Sequence, residues 1–325
     1  ILIGAELFTN GVEWAGEKLN IAEAAVGSLL AAVGTALPET LIPAVALILG
    51  HGGENSHSQV GVGAIIGAPL MLSTVALFVM SVAAIAFRRR RTQIALKVSR
   101  KDARRDLMFF LPVFLALLII GLGHPGPTFR KAIALALLVV YIIYSVIMLR
   151  MERSEQSEVD QGLYIESFFR GNPMDPRTAT TILQVILGLT AIVFGALFFV
   201  DEIVFISQTA NVNPGVLSLI LSPLATELPE KYNSVVWIRK RKDHLALANI
   251  TGAMVFQSCI PVALGVAYTP WHLTTAEVVG AAVALGSAML LFLNLRDGEL
   301  GTPTLMAGGV AYAIFIGLLV VTGVF

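Results

Sequence analysis

Long apolar runs divide this sequence and restrict it to folds that can satisfy their backbone hydrogen bonds within lipid. About 20 helical residues cross the hydrocarbon core of a bilayer. Runs of that order recur along the chain, at residues 24–50, 60–87, 107–123, 131–149, 179–200, 215–238, 246–267, 275–294 and 304–325. Charged residues make up 14% of the chain, against about 25% in soluble domains. Since a membrane span must be a helix or part of a closed barrel, runs of this length predict helices.

The opening residues, ILIGAELF, have the composition of the last turns of one more helix. We interpret them as the remainder of a first span whose beginning is missing. The sequence therefore predicts an all-α, polytopic membrane protein with ten transmembrane helices, of which the first is truncated.

The basic residues predict the orientation of these helices. Most of the 22 Lys and Arg residues fall in loops that alternating helices place on one side, most densely between Arg88 and Arg105. The opposite side carries Arg130 and Lys131. Because Lys and Arg accumulate in cytoplasmic loops, we predict an integral protein of the plasma (inner) membrane with its basic loops in the cytoplasm. The RRRR run at 88–91 is interpreted as an anchor to the lipid bilayer, with no nucleic acid as partner.

Two similar stretches, GTALPE at 34–39 and ATELPE at 225–230, indicate an internal repeat. The match continues in the following helices, where Ile65, Gly67, Ala68 and Ser73 correspond to Ile250, Gly252, Ala253 and Ser258. Five spans in each half would make the second half inverted relative to the first, a plan typical of secondary transporters. We predict repeats at 1–149 and 179–325, joined by a cytoplasmic linker at 150–178.

The repeated Leu-Pro-Glu places a carboxylate where a membrane helix is least tolerant of charge. Proline cannot donate to the carbonyl four residues earlier, and upstream Gly and Thr should let the helix unwind there. Burying Glu39 or Glu230 in a membrane costs roughly 2.5–3.5 kcal/mol on insertion scales. Two such carboxylates facing one another among free carbonyl oxygens suit a hard divalent cation, with Ca²⁺ first among candidates.

These motifs resemble those of the sodium/calcium exchanger family in the cation/Ca²⁺ antiporter superfamily. GTALPE followed by GAIIG at 63–67 is similar to its first repeat, and TELPE at 226–230 with NITG at 249–252 is similar to its second. The resemblance extends over nearly the whole chain. It implies that Glu39 and Glu230 are paired Ca²⁺ ligands, and that Thr35 and Thr226 contribute backbone carbonyls.

The chain is a divergent member by this resemblance, because several polar positions of the family pattern are changed. Ala36 and Glu227 stand where the family has Ser. Other hydroxyls and amides that serve the family as sodium ligands are replaced, at Ala64, Ala68, Pro69, Leu72, Ala253, Met254 and Gln257. These losses weaken the expectation of Na⁺ coupling. The further candidate ligands are Glu227, Asn249, Gln257, Ser73 and Ser258.

Glu227 and Lys231 are four residues apart with the acid first, the favourable order for an ion pair on a helix. Lys231 is a candidate coupling residue, because a tethered ammonium can stand in for a transported cation. Buried carboxylates that carry protons would instead give H⁺ coupling. The remaining alternative is a purely structural ion pair, with Lys231 extending toward the membrane surface.

The predicted function is therefore secondary active antiport, exporting Ca²⁺ in exchange for Na⁺ or H⁺ by alternating access. One alternative is a proton-coupled exchanger of another inorganic cation. A second is a non-transporting sensor or assembly protein with the same fold. The sequence contains no phosphate-binding loop, zinc spacing or nucleophile elbow, so we predict neither an enzyme nor a bound cofactor.

Overall fold

The computed structural model describes residues 1–18, 31–49, 54–90, 94–151, 162–171, 176–295 and 298–323, which fold almost entirely as helices. The helices are α1 (Leu2–Lys18), α2 (Ala31–Ala44), α3 (Glu54–Met71), α4 (Leu77–Ala86), α5 (Arg100–Gly121), α6 (Pro127–Met151), α7 (Tyr164–Arg170), α8 (Thr178–Ala210), α9 (Pro214–Thr226), α10 (Leu228–Arg239), α11 (Asp243–Tyr268), α12 (Thr275–Asn294) and α13 (Thr302–Thr322). One π-helical segment, Val45–Leu49, follows α2, and a second, Leu72–Ala76, joins α3 to α4. A 3-10 turn lies at Arg88–Arg90, and the short strands are β1 (Leu96–Lys97) and β2 (Glu299–Leu300).

The predicted all-α, polytopic class is confirmed. Six helical segments within the described ranges are long and apolar enough to cross a membrane: Ser56–Ala86, Pro127–Met148, Thr178–Ala210, Asp243–Tyr268, Thr275–Asn294 and Thr302–Thr322. Shorter apolar helices are found at Pro38–Ile48 and Pro214–Thr226, so the count of ten spans stays a prediction. The interpretation of residues 1–8 as the last turns of a helix was too short, because α1 continues to Lys18. Residues 24–30 of the predicted second span lie outside the described ranges.

Burial separates central helices from peripheral ones. The segment Ser56–Ala86 includes most of α3 and all of α4. Of its most apolar 18 residues 83% are buried, whereas 17% are buried in the corresponding stretch of Pro127–Met148 in α6. The centre is formed by α2, α3, α9, α10 and α11. Here α3 of the first half packs on α9 of the second, and α11 of the second half packs on α2, which contains the first Leu-Pro-Glu segment. The helices α1 and α8 pack together at one flank.

Loops from both halves meet at each end of the bundle. At one end β1 pairs with β2, and the backbone N–H of Lys97 donates to Asp243 Oδ2 at 3.0 Å. At the other end the N–H of Leu273 donates to the carbonyl of Gly121 at 3.0 Å. The segments that precede α5, α11 and α13 therefore lie together at the end of the bundle where β1 pairs with β2.

Glycines bring α3 and α9 into backbone contact beside the centre. A Cβ added at Gly63 would lie 2.2 Å from the carbonyl oxygen of Gly215, and one at Gly67 would lie 2.2 Å from that of Leu219. Small residues at four-residue spacing allow this close approach of membrane helices. The sequence pattern Gly63-x-x-x-Gly67 thus has a packing role, holding a helix of the first half against one of the second.

We expect Gly67→Ala to destabilise the protein, because the new methyl group overlaps a backbone carbonyl that cannot rotate away. Overpacking of this kind costs about 1–3 kcal/mol, which a lower melting temperature of the purified protein would report. Gly286→Ala on α12 is the matched control, since nothing lies within 4 Å of an added Cβ there. An equal melting temperature for the two variants would contradict the close α3–α9 contact.

Candidate functional site

Glu39 lies within α2, directly after Pro38, at the centre of the bundle. Its side chain is 5% exposed, and both carboxylate oxygens lack a hydrogen-bond partner among the described residues. The helix runs through Pro38 without a break, so the predicted unwinding is wrong in this half. Proline removes one backbone bond, to the Gly34 carbonyl, while neighbouring bonds sustain the helix. Thr35 belongs to α2, but its side chain lies outside the described part of the structure.

The second Leu-Pro-Glu segment does interrupt its helix. α9 ends at Thr226, α10 begins at Leu228, and Glu227 between them has φ −85° and ψ 11°. Pro229 lies in the first turn of α10, where a missing N–H disturbs a helix least. Glu230 follows in the same turn and is 1% exposed. The predicted unwinding is therefore present in this half alone.

Glu227 and Lys231 form a buried ion pair across this break. The Lys231 Nζ lies 2.9 Å from Glu227 Oε2. Glu227 is 0% exposed and Lys231 is 7% exposed, so the lysine does not extend to the membrane surface as one alternative had it. Glu227 Oε1 has no hydrogen-bond partner within the described ranges, which leaves it available to a cation.

The four charged groups form one electrostatic cluster. The carboxylate of Glu39 interacts most strongly with Glu230, next with Glu227, and also with Lys231. Glu39 comes from the first half of the chain and the other three from the second. The structure thus brings together the two carboxylates that the sequence paired, and it adds a third carboxylate and an ammonium.

Other predicted ligands take different places around this cluster. The side-chain amide of Asn249 donates to the backbone carbonyl of Glu230 at 3.4 Å. Gln257 is buried on α11, and its amide makes no hydrogen bond to the described residues. Hydroxyls of the remaining candidates donate to carbonyls of their own helices, Ser73 to Pro69 at 2.7 Å, Ser258 to Val255 at 2.9 Å and Thr226 to Ser222 at 3.0 Å. Such back-bonding is the common state of Ser and Thr in membrane helices.

A further buried acid, which was not predicted from the sequence, is Asp106 near the start of α5. Arg105 donates to Asp106 Oδ1 at 3.0 Å and Tyr144 donates to the same oxygen at 3.1 Å. Thr251 donates to Oδ2 at 2.6 Å. These bonds join α5, α6 and α11, and Thr251 lies two residues after Asn249. The only sign of Asp106 in the sequence was its position, one residue before the span predicted at 107–123.

A second missed neighbour is Tyr312 on α13, which interacts electrostatically with Glu227. It is a tyrosine within an otherwise apolar helix, TLMAGGVAYAIFIGLLVV. Tyrosines also occur in purely structural positions of membrane helices, so the sequence alone gave no reason to single it out.

The fold and the cluster together define a class of protein. In a polytopic helical membrane protein, buried carboxylates brought together from both halves are typical of a membrane transporter of cations, because intramembrane acids commonly mark ion pathways. The profile of the sodium/calcium exchanger protein family matches residues 1–150 and 180–324. The chain therefore belongs to the sodium/calcium exchanger protein family, a family of cation antiporters and not of enzymes.

Individual proteins agree with this membership. The chain is 24% identical over 304 residues to an uncharacterized membrane protein of Methanocaldococcus jannaschii, covering 92% of this chain and 87% of the relative. The crystal structure of the H⁺/Ca²⁺ exchanger CAX matches with a TM-score of 0.76 and 16% identity, over 98% of this chain and 78% of that one. A structure of the sodium-calcium exchanger NCX_Mj, soaked with zero Na⁺ and Ca²⁺, matches with a TM-score of 0.59 and 17% identity, over 97% and 94%. At these identities the structural likeness is evidence of the fold alone.

Proposed function

We propose that this protein exports Ca²⁺ across the plasma membrane in exchange for Na⁺ or H⁺, by alternating access to one central site. The observation that carries the proposal is the buried electrostatic pair of Glu39 and Glu230, one carboxylate from each half of the chain. Membership of the exchanger family supports the same function. Two proteins with this fold are an H⁺/Ca²⁺ exchanger and a sodium-calcium exchanger, which supports H⁺ and Na⁺ as the candidate counter-ions.

The charge of the site favours a divalent cargo. Two carboxylates at close range in a medium of low dielectric repel one another and lose their hydration, so bare ionised forms are costly. One Ca²⁺ neutralises both and accepts the irregular shell of six to eight oxygens that carboxylates and carbonyls can form. Because the site is unfavourable when empty and charged, a returning cation must replace Ca²⁺. That requirement favours exchange over a leak.

Around the two carboxylates we assign the other ligands by their positions. Glu227 offers its Oε1 and Gln257 its amide oxygen. Asn249 positions the Glu230 backbone through its hydrogen bond, and Thr35 and Thr226 contribute backbone carbonyls at the two Leu-Pro-Glu segments. Ser73 and Ser258 keep free lone pairs while their hydroxyl protons bond the helix, so each can still accept a cation as a minor ligand.

The arrangement in the membrane is part of the proposal. We place the basic loops in the cytoplasm, and we assign repeats to residues 1–149 and 179–325 with a cytoplasmic linker at 150–178. The gathering of the loops before α5, α11 and α13 at one end of the bundle supports a common side for them. The break in the family match between residues 150 and 180 supports the position of the linker.

Ca²⁺ flux into proteoliposomes tests the function and separates the counter-ions. We expect radiolabelled Ca²⁺ uptake when Na⁺ or H⁺ is held at higher concentration inside, and background uptake without either gradient. Uptake driven by H⁺ alone would identify a proton-coupled exchanger, and uptake driven by Na⁺ alone a sodium-coupled one. Ca²⁺ binding to the purified protein without flux under either gradient would refute antiport and favour a sensor.

A further inference from the structure

We propose that Lys231 is a permanent cation of the transport site, and that it makes the exchange electroneutral, with two monovalent cations moving against one divalent cation. This inference rests on the proposed function and adds the stoichiometry of charge to it. It depends on one arrangement, the buried ion pair that links Glu227 and Lys231 across the break between α9 and α10.

The pair is built so that its charges stay together. The Lys231 Nζ lies 2.9 Å from Glu227 Oε2, and the two side chains are 8% and 0% exposed. Lys231 is one turn beyond Glu227, so the backbone itself holds the ammonium at the carboxylate: the Lys231 N–H donates to the Glu227 carbonyl at 3.2 Å. Removing one partner of such a buried pair leaves the other charge uncompensated and is strongly unfavourable. The ammonium cannot leave, unlike a transported ion.

The ammonium also belongs to the same electrostatic cluster as the transport carboxylates. Glu39 interacts with Glu230, Glu227 and Lys231. Among the described residues, this cluster contains three carboxylates and one ammonium, which leaves two negative charges. One divalent cation neutralises those two charges, and so do two monovalent cations.

Neutrality matters because the site must be closed from water during each transit. An uncompensated charge in a medium of low dielectric carries a large loss of hydration energy, so the closed forms that move are the neutral ones. With Lys231 in place, both loaded forms have the same net charge. A complete cycle then carries no net charge across the membrane. Without Lys231, a third monovalent cation would be needed for the return step.

The equilibrium distribution of Ca²⁺ in proteoliposomes measures this directly. A tenfold K⁺ gradient with valinomycin sets a membrane potential, which shifts the Ca²⁺ distribution ratio about tenfold if one net charge moves per cycle and leaves it unchanged if none moves. We expect no shift for the unmodified protein at a fixed Na⁺ or H⁺ gradient. A shift of about tenfold there would overturn the proposal.

Two variants test whether Lys231 is the cause. In Lys231→Met the Glu227 charge is uncompensated, and we expect either a distribution that responds to the K⁺ gradient or a loss of flux. In the double variant Lys231→Met/Glu227→Gln both charges of the pair are absent, so the exchange that remains should again be insensitive to the K⁺ gradient, at a rate below the parent because Glu227 is an assigned Ca²⁺ ligand. A double variant whose Ca²⁺ distribution follows the gradient would contradict the proposal. If Lys231→Met alone transports at the parent rate and remains insensitive, the pair is structural and the proposal is wrong.

Failure of this inference is distinguishable from failure of the proposed function. If the unmodified protein shows no Ca²⁺ flux under any Na⁺ or H⁺ gradient, antiport itself is refuted. If it shows robust exchange whose equilibrium follows the membrane potential, antiport stands and the role of Lys231 is rejected.

Discussion

Replacing Glu39 or Glu230 by glutamine is expected to reduce Ca²⁺ transport more than a hundredfold. Each substitution keeps the shape of the side chain and removes one of the two charges that the divalent ion neutralises. Leaving the opposite charge of a buried pair unmatched costs about 3–5 kcal/mol. Since the two carboxylates come from different halves of the chain, each single variant should be as defective as the other. The measurement is the initial rate of radiolabelled Ca²⁺ uptake into proteoliposomes.

A binding readout separates loss of the site from loss of folding. Ca²⁺ should raise the melting temperature of the parent protein, because a ligand at 100 times its dissociation constant stabilises by about 2.7 kcal/mol. Neither variant should respond to Ca²⁺, although both should melt cooperatively in its absence.

Glu202→Gln provides a matched control for these variants. Glu202 is an exposed carboxylate on α8, and its neutralisation should leave transport and the Ca²⁺-dependent melting shift intact. Parent-like uptake by both Glu39→Gln and Glu230→Gln would show that the site lies elsewhere.

The paired carboxylates were predictable from the sequence because their signal is local. A glutamate directly after Leu-Pro within an apolar run is recognisable without coordinates, and its repetition at Glu39 and Glu230 indicated a shared site. The span 275–294 was likewise predicted with the boundaries that α12 has. Its Thr274 and Glu277 form a capping box, a short-range pattern that defines where a helix begins.

What escaped prediction depends on contacts between distant segments. Pro38 and Pro229 look equivalent in the sequence, yet the helix breaks at Glu227 and continues through Pro38. Proline weakens one backbone bond in both cases, and tertiary packing decides whether the helix opens. The Asp106 network was missed for the same reason, since its donors Tyr144 and Thr251 lie on other helices.

The break between α9 and α10 leads to the second large effect: Pro229→Ala should reduce transport at least tenfold while leaving the protein folded. Alanine restores an N–H that can donate to the carbonyl of Ala225, four residues earlier, and proline in a helix interior disfavours continuity by about 3 kcal/mol. The variant should therefore favour one continuous helix across Glu227. That would rotate Glu230 and Lys231 relative to Glu39. Initial rates of Ca²⁺ uptake, with the melting temperature measured in parallel, report both effects.

Pro112→Ala is the corresponding control, because it adds the same kind of backbone bond, to Met108, in a helix away from the cluster. Pro112 is a helix-interior proline of α5 whose side chain is exposed. We expect it to transport at the parent rate and to melt at an equal or higher temperature. Parent-like transport by Pro229→Ala would mean that the interruption at Glu227 is dispensable and that the packing of α10 against α4 and α11 maintains the orientation of Glu230. An equal loss of transport in both proline variants would instead indicate a general effect of helix stiffening. The proposal thus requires a large defect at residue 229 and none at residue 112.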